Sequence, residues 1–143
     1  MSAEILQPVA VLAAWSMIVW LWLYATRLPA MKRAGLLDTP MVGGNGADLA
    51  SKLPPAVQWK ADNYNHLMEQ PTVFYAVALT LAIAGAGDGM NAALAWIYVA
   101  FRIVHTLLQV TVNRVPLRFA LHALGTIPLI MLCVHTLGVV FHG

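Results

Sequence analysis

The chain has 143 residues, of which 60% are hydrophobic and 10% charged, and its formal charge is +2. A soluble domain carries about 25% charged residues, so this composition, with a mean hydropathy of +0.73, excludes an ordinary water-soluble fold, and so small a charge gives no basis for nucleic-acid binding. The single cysteine, Cys133, excludes an internal disulfide and a two-cysteine metal or redox motif, and its apolar surroundings predict a buried, inert thiol.

The first apolar run covers residues 5–28, interrupted by Gln7, Ser16 and Thr26 and carrying Arg27 next to its end, with Pro8 tolerable in its first turn. About 20 apolar residues cross a bilayer, so the run is long enough. It opens with Glu4 and no basic residue, which predicts a retained span rather than a cleaved signal. Residues 29–58 hold Lys32, Arg33, Asp38, Asp48, Lys52, several prolines and Gly43-Gly44-Asn45-Gly46. Gly and Pro at this density predict a long polar loop.

A second span is expected over residues 59–86, with a polar first third (Lys60, Asp62, Asn63, Asn65, His66, Glu69, Gln70) followed by Pro71. After the turn around Asp88 comes a third span, 91–112, and after Asn113-Arg114-Val115-Pro116 a fourth, 117–141. These segments predict an all-α fold: one domain, residues 1–143, forming an integral membrane, multi-pass, up-down four-helix bundle. The absence of an internal repeat argues against a transporter of duplicated halves. Apart from Arg102, every Lys and Arg belongs to the first loop, the third loop or the helix ends beside them. The positive-inside rule then places both loops in the cytoplasm and both termini on the other side.

A charge inside a bilayer is costly and is usually paired and turned inward. Glu69 and Arg102 are the clearest such charges. At helical spacing Asp62, Asn65, His66 and Glu69 share one face of the second span, and Arg102, His105, Gln109 and Asn113 form a stripe on the third. Arg114 and Arg118 lie at the same end. Two readings compete: a structural Glu69–Arg102 ion pair, or a polar cavity for an anionic, hydrogen-bonding ligand. The number of polar groups favours the cavity. His66, His105, His122 and Glu69 could also be read as metal or haem ligands, but the helices offer few carboxylates and the arginines repel a cation, so no metal is expected. His135 and His142 lie towards the opposite end and read as structural or interfacial.

Two stretches carry a family resemblance. Arg102-Ile-Val-His105-Thr-Leu-Leu-Gln109, continued by Asn113-Arg114-Val-Pro116-Leu-Arg118, and Asn65-His66-Leu-Met-Glu69-Gln-Pro71-Thr-Val-Phe74 resemble the third-helix and second-helix signatures of the membrane-associated proteins in eicosanoid and glutathione metabolism. That superfamily contains microsomal glutathione transferases and prostaglandin E synthase, and the overall layout is most similar to its bacterial branch. The resemblance implies a homotrimer; taken with the Lys/Arg distribution, the bacterial branch gives an expected bacterial inner membrane with periplasmic termini. It implies glutathione as thiol co-substrate near the cytosolic side, between subunits, and a lipophilic electrophile arriving from the membrane lipid. It assigns thiolate stabilisation to Arg118 and glutathione binding to Arg27, Asn65, His66, Glu69, Arg102, His105, Gln109 and His122. The implied activity is that of a glutathione transferase or peroxidase; the alternative is a non-catalytic relative that binds a lipid or a partner protein. Gln109 and His122 stand where the family often has tyrosines, and Phe119 where the prostaglandin enzyme has serine. Prostaglandin isomerisation is therefore not implied.

Overall fold

A computed structural model describes residues 4–38 and 42–143; residues 39–41 of the expected loop and the first three residues lie outside them. The described residues are helical throughout, in five helices and one short 3-10 turn. Helix α1 is Leu6–Arg33, the 3-10 turn Gly46–Leu49, α2 Pro55–Met68, α3 Gln70–Ile83, α4 Met90–Thr111 and α5 Val115–His142.

The first span is longer than expected. It runs through Pro29 to Arg33, and its basic last turn, Lys32 and Arg33, suits the negative end of a helix. The loop is shortened at its other end too, because Pro54-Pro55 starts α2 four residues before the expected boundary. A proline at the first helical position gives up an N–H that has no partner there in any case.

The second span differs most from expectation. It is two helices of 14 residues each, α2 and α3, separated by Glu69 at φ −89°, ψ −96°. Pro71 is the cause: it lacks an N–H, and its ring crowds the carbonyl four residues back. Three helices, α1, α4 and α5, are individually long and apolar enough to cross a membrane. The broken rod is not among them, because neither half is long enough and α2 is polar.

The core is the seam where the four rods meet, built from Leu12, Val19, Leu67, Phe74, Leu81, Tyr98, Val99 and Leu132. Phe74 stacks on Tyr98, with ring centroids 4.7 Å apart, and so ties α3 to α4. One end of the bundle is closed by the Ile5 N–H donating to the Gly87 carbonyl at 3.0 Å and the Gly89 N–H to Glu4 Oε2 at 3.1 Å. His135 meets Asn91 at 2.6 Å near the same end. Among the described residues thirty large apolar side chains are exposed, including Ile83, Phe119 and Phe141. In water such a surface would aggregate; in a bilayer it is a surface that suits lipid.

Helices α4 and α5 pack tightly at Gly125, where an added Cβ would lie 2.9 Å from Phe101 Cβ. Small residues permit this proximity in membrane bundles. Gly125→Ala should lower the stability of the detergent-solubilised protein by about 1–3 kcal/mol through overpacking. A melting curve read by tryptophan fluorescence checks this; an unchanged midpoint would mean that the contact is loose.

Candidate functional site

The break at Glu69 is the starting point. In an unbroken helix the N–H of Gln70 would bond to the His66 carbonyl. Here that carbonyl accepts from Arg102 Nη2 at 2.8 Å, besides a longer 3.3 Å contact from the Glu69 N–H. Arg102 is only 3% exposed, so its guanidinium requires further acceptors. Nη1 finds one in His122 Nδ1 at 3.2 Å. A guanidinium only donates; His122 Nδ1 therefore accepts, and the ring proton sits on Nε2. Arg102 thus joins α2, α4 and α5 in one cluster.

The Glu69–Arg102 ion pair, the reading that competed with the polar cavity, does not form. The Glu69 carboxylate is 66% exposed and meets His66 Nδ1 at 3.4 Å. The kink explains this: at ψ −96° Glu69 leaves the helical path, and its side chain swings outwards while the backbone beside it receives the arginine.

The imidazoles gather beside this cluster, His66 and His105 edge to face and His105 and His122 tilted. His66 and His105 have centroids 5.9 Å apart, and His105 and His122 6.2 Å. With Arg118 they line a pocket of about 180 Å³, whose remaining walls are Val115 and Phe119. Arg118 sits in the first turn of α5, and its Nη1 donates to Asn113 Oδ1 at 2.5 Å. Asn113 adopts the left-handed conformation at φ 49°, which asparagine tolerates better than most residues, and its N–H bonds to the Leu108 carbonyl. One residue therefore ends α4 and aims the arginine. Among the described residues no group of three or more His, Cys, Asp or Glu has the geometry to hold a metal ion.

The other candidates are placed elsewhere. Gln109 is 1% exposed, and its Oε1 has no hydrogen-bond partner among the described residues; it lies a turn beyond His105, inside the bundle. Arg27 and Asn65 line a separate cavity of about 350 Å³ with Tyr24, Gln58 and Tyr64, on the α1 side of α2. There Arg27 Nη2 donates to the Gly46 carbonyl at 2.7 Å. A side chain at Gly46 would begin 3.1 Å from the guanidinium, so the glycine lets the loop close on the arginine. Asp62 accepts from Gln58 at 3.0 Å, and Lys60 packs over the Trp22 ring. The shared polar face expected on α2 is thus divided between two cavities.

A second polar relay lies beneath the cluster. Tyr98 donates to Gln70 Oε1 at 3.3 Å, Gln70 Nε2 to Thr126 at 2.9 Å, and Thr126 to the His122 carbonyl at 2.8 Å. No motif marks Tyr98 or Thr126. The available signal was Gln70, an amide at the place where a helix must break.

Arg102→Gln should cost about 2–3 kcal/mol, because it removes charge-assisted bonds and leaves buried acceptors unpaired. Lysine should not restore this, since an ammonium lacks the planar fork. Glu69→Gln, on an exposed carboxylate, should stay within about 0.5 kcal/mol. Equal losses for both in a detergent melt would restore the ion pair.

Neither a curated protein nor a solved structure gives a match to this chain. The MAPEG family model matches residues 5–138, a span that includes the broken second rod, the Arg102 cluster and the Asn113–Arg118 turn, and the chain belongs to the MAPEG family.

Proposed function

We propose that the protein is a membrane-bound glutathione transferase or peroxidase that activates a thiolate for attack on a lipophilic electrophile. The observation that carries this reading is the pocket shared by Arg118, His66, His105 and His122, beside the apolar Val115 and Phe119. Such a pocket suits a small anion next to a greasy reactant. Arg118 stands at the start of α5, where the helix dipole is positive. Fixed positive charge favours thiolate over thiol, and the thiolate is the nucleophile. With a chloro-nitroarene the sulfur–carbon bond forms, the carbon–chlorine bond breaks and chloride leaves. The thiol proton passes to solvent at the open mouth.

The active assembly in this reading is a homotrimer with sites between neighbours. Glutathione is larger than a 180 Å³ pocket accommodates; ligand pockets usually measure about 300–1,000 Å³. Arg27 and Asn65 line a different cavity, so in a homo-oligomer one subunit's α1–α2 face would complete the neighbour's α4–α5 face. The first and third loops lie in the cytoplasm of a bacterial inner membrane, and the termini in the periplasm, on the strength of the Lys/Arg distribution. A C-terminal alkaline phosphatase fusion should then be active; an inactive fusion beside an active cytoplasmic reporter would invert the orientation.

One observation favours a second reading, a non-catalytic lipid- or partner-binding relative: Arg118 is already held by Asn113, and the tyrosine positions carry Gln109 and His122. Thermal shift with glutathione and with S-methylglutathione separates the two. A catalyst that binds thiolate should be stabilised more by the free thiol; equal or absent shifts favour the binder.

Two kinetic predictions follow from the enzymatic reading. Arg118→Lys should keep part of the conjugation rate with a lipophilic chloro-nitroarene, and Arg118→Ala should lose about 10²-fold or more, the scale for removing one charge-stabilising donor. Co-expressed Arg27→Ala and Arg118→Ala subunits should regain activity at about a quarter of the sites, because mixed rings bring one intact half of each kind together. No recovery in mixed trimers would place the whole site within one subunit.

A further inference from the structure

A cavity larger than the imidazole pocket lies on the other side of α2. It measures about 570 Å³ and lies between the last two turns of α1 and the start of α2, lined by Ala25, Pro29, Ala30, Arg33, Pro54 and Val57 among others. We propose that this groove binds one anionic phospholipid of the leaflet facing the basic loop, with the phosphate on Arg33 and an acyl chain along the alanine and proline floor. The inference is independent of the glutathione reading.

Length places the groove at headgroup level. Helix α1 has 28 residues, about 42 Å at 1.5 Å per residue, whereas the hydrocarbon core is only ~30 Å thick. If the apolar part of α1 fills the core, the turns from Ala25 to Arg33 emerge into the interface. Charge selects the occupant. Arg33 and its neighbour Lys32 are exposed, neither makes an ion pair among the described residues, and no carboxylate lines the groove. An anionic headgroup supplies what both lack. The floor accepts a chain because its residues are small and apolar. Pro29 adds a polar feature: lacking an N–H, it deprives the Ala25 carbonyl of its helical partner. That carbonyl can accept from a headgroup hydroxyl or ammonium. A water-soluble anion would satisfy Arg33 but leave the apolar floor uncovered, which favours a lipid over free phosphate.

The test is native mass spectrometry of the intact detergent-solubilised protein, titrated with phosphatidylglycerol and, separately, phosphatidylcholine. Phosphatidylglycerol should bind with the higher affinity. Arg33→Gln should weaken it by about fivefold, the scale for one basic residue at an anionic surface, and leave phosphatidylcholine unchanged. Ala25→Trp, at an exposed position that fills the groove without touching the core, should reduce both. Equal binding of the two lipids, unaffected by either substitution, would overturn the proposal. Displacement of phosphatidylglycerol by millimolar inorganic phosphate would also overturn it, and make the site one for a soluble anion. So would loss of the oligomer in Ala25→Trp with no lipid bound to the wild type, because the groove would then be an interface between copies.

Discussion

The site depends on one hydrogen bond between a side chain and a broken backbone. Pro71 interrupts the second rod, and the His66 carbonyl is left without its usual helical partner. A backbone carbonyl inside a bundle needs another donor, since leaving it unpaired costs about 1–3 kcal/mol. Arg102 satisfies it at 2.8 Å, and the burial of a guanidinium then creates its own demand for acceptors. His122 meets part of that demand at 3.2 Å, which fixes its tautomer and ties α5 to α2 and α4; Arg102 Nε is buried without a partner among the described residues. His105, one turn from Arg102 on α4, is carried between the other two imidazoles. The pocket is thus a consequence of repairing a helix break.

Much of this was legible in the sequence, and the illegible parts share a cause. The four rods follow from hydropathy alone. The stripe of Arg102, His105 and Gln109 follows from helical spacing, and all three are buried, at 3%, 3% and 1% exposure. Spacing fails at Glu69, because the wheel assumes a helix that Pro71 has broken two residues later. A continuous helix would have kept Glu69 facing Arg102; the kink turns the carboxylate out, still 3.4 Å from His66 Nδ1, and offers a carbonyl to Arg102 instead. Arg27 was legible as a basic residue near the end of the first span, but its bond to Gly46 was not. That contact joins residues 19 apart through a loop whose path no periodicity encodes. Burial on a stripe also does not distinguish a ligand-facing residue from an internal one: His105 lines the pocket and Gln109 does not.

The arrangement clarifies how this chain departs from the pattern its family resemblance implies. His122 is engaged through Nδ1 with Arg102, so it serves the scaffold while Nε2–H stays a donor. Phe119 makes a wall of the pocket apolar, where a hydroxyl would have offered a hydrogen bond. The group left to meet a developing negative charge is Arg118, aimed by Asn113. Catalysis in this account therefore rests on electrostatics, a fixed cation at a helix start, rather than on hydroxyl donors.

Whether a thiolate forms when glutathione binds is the most direct question. The measurement is stopped-flow absorbance in the thiolate band on mixing the purified oligomer with glutathione, without a second substrate. The account predicts a rise that saturates with glutathione in the wild type, a reduced rise in Arg118→Lys and none in Arg118→Ala, with glutathione binding by calorimetry largely kept in all three. An equal thiolate signal in Arg118→Ala and wild type, or glutathione bound by the wild type with no thiolate at all, would contradict it.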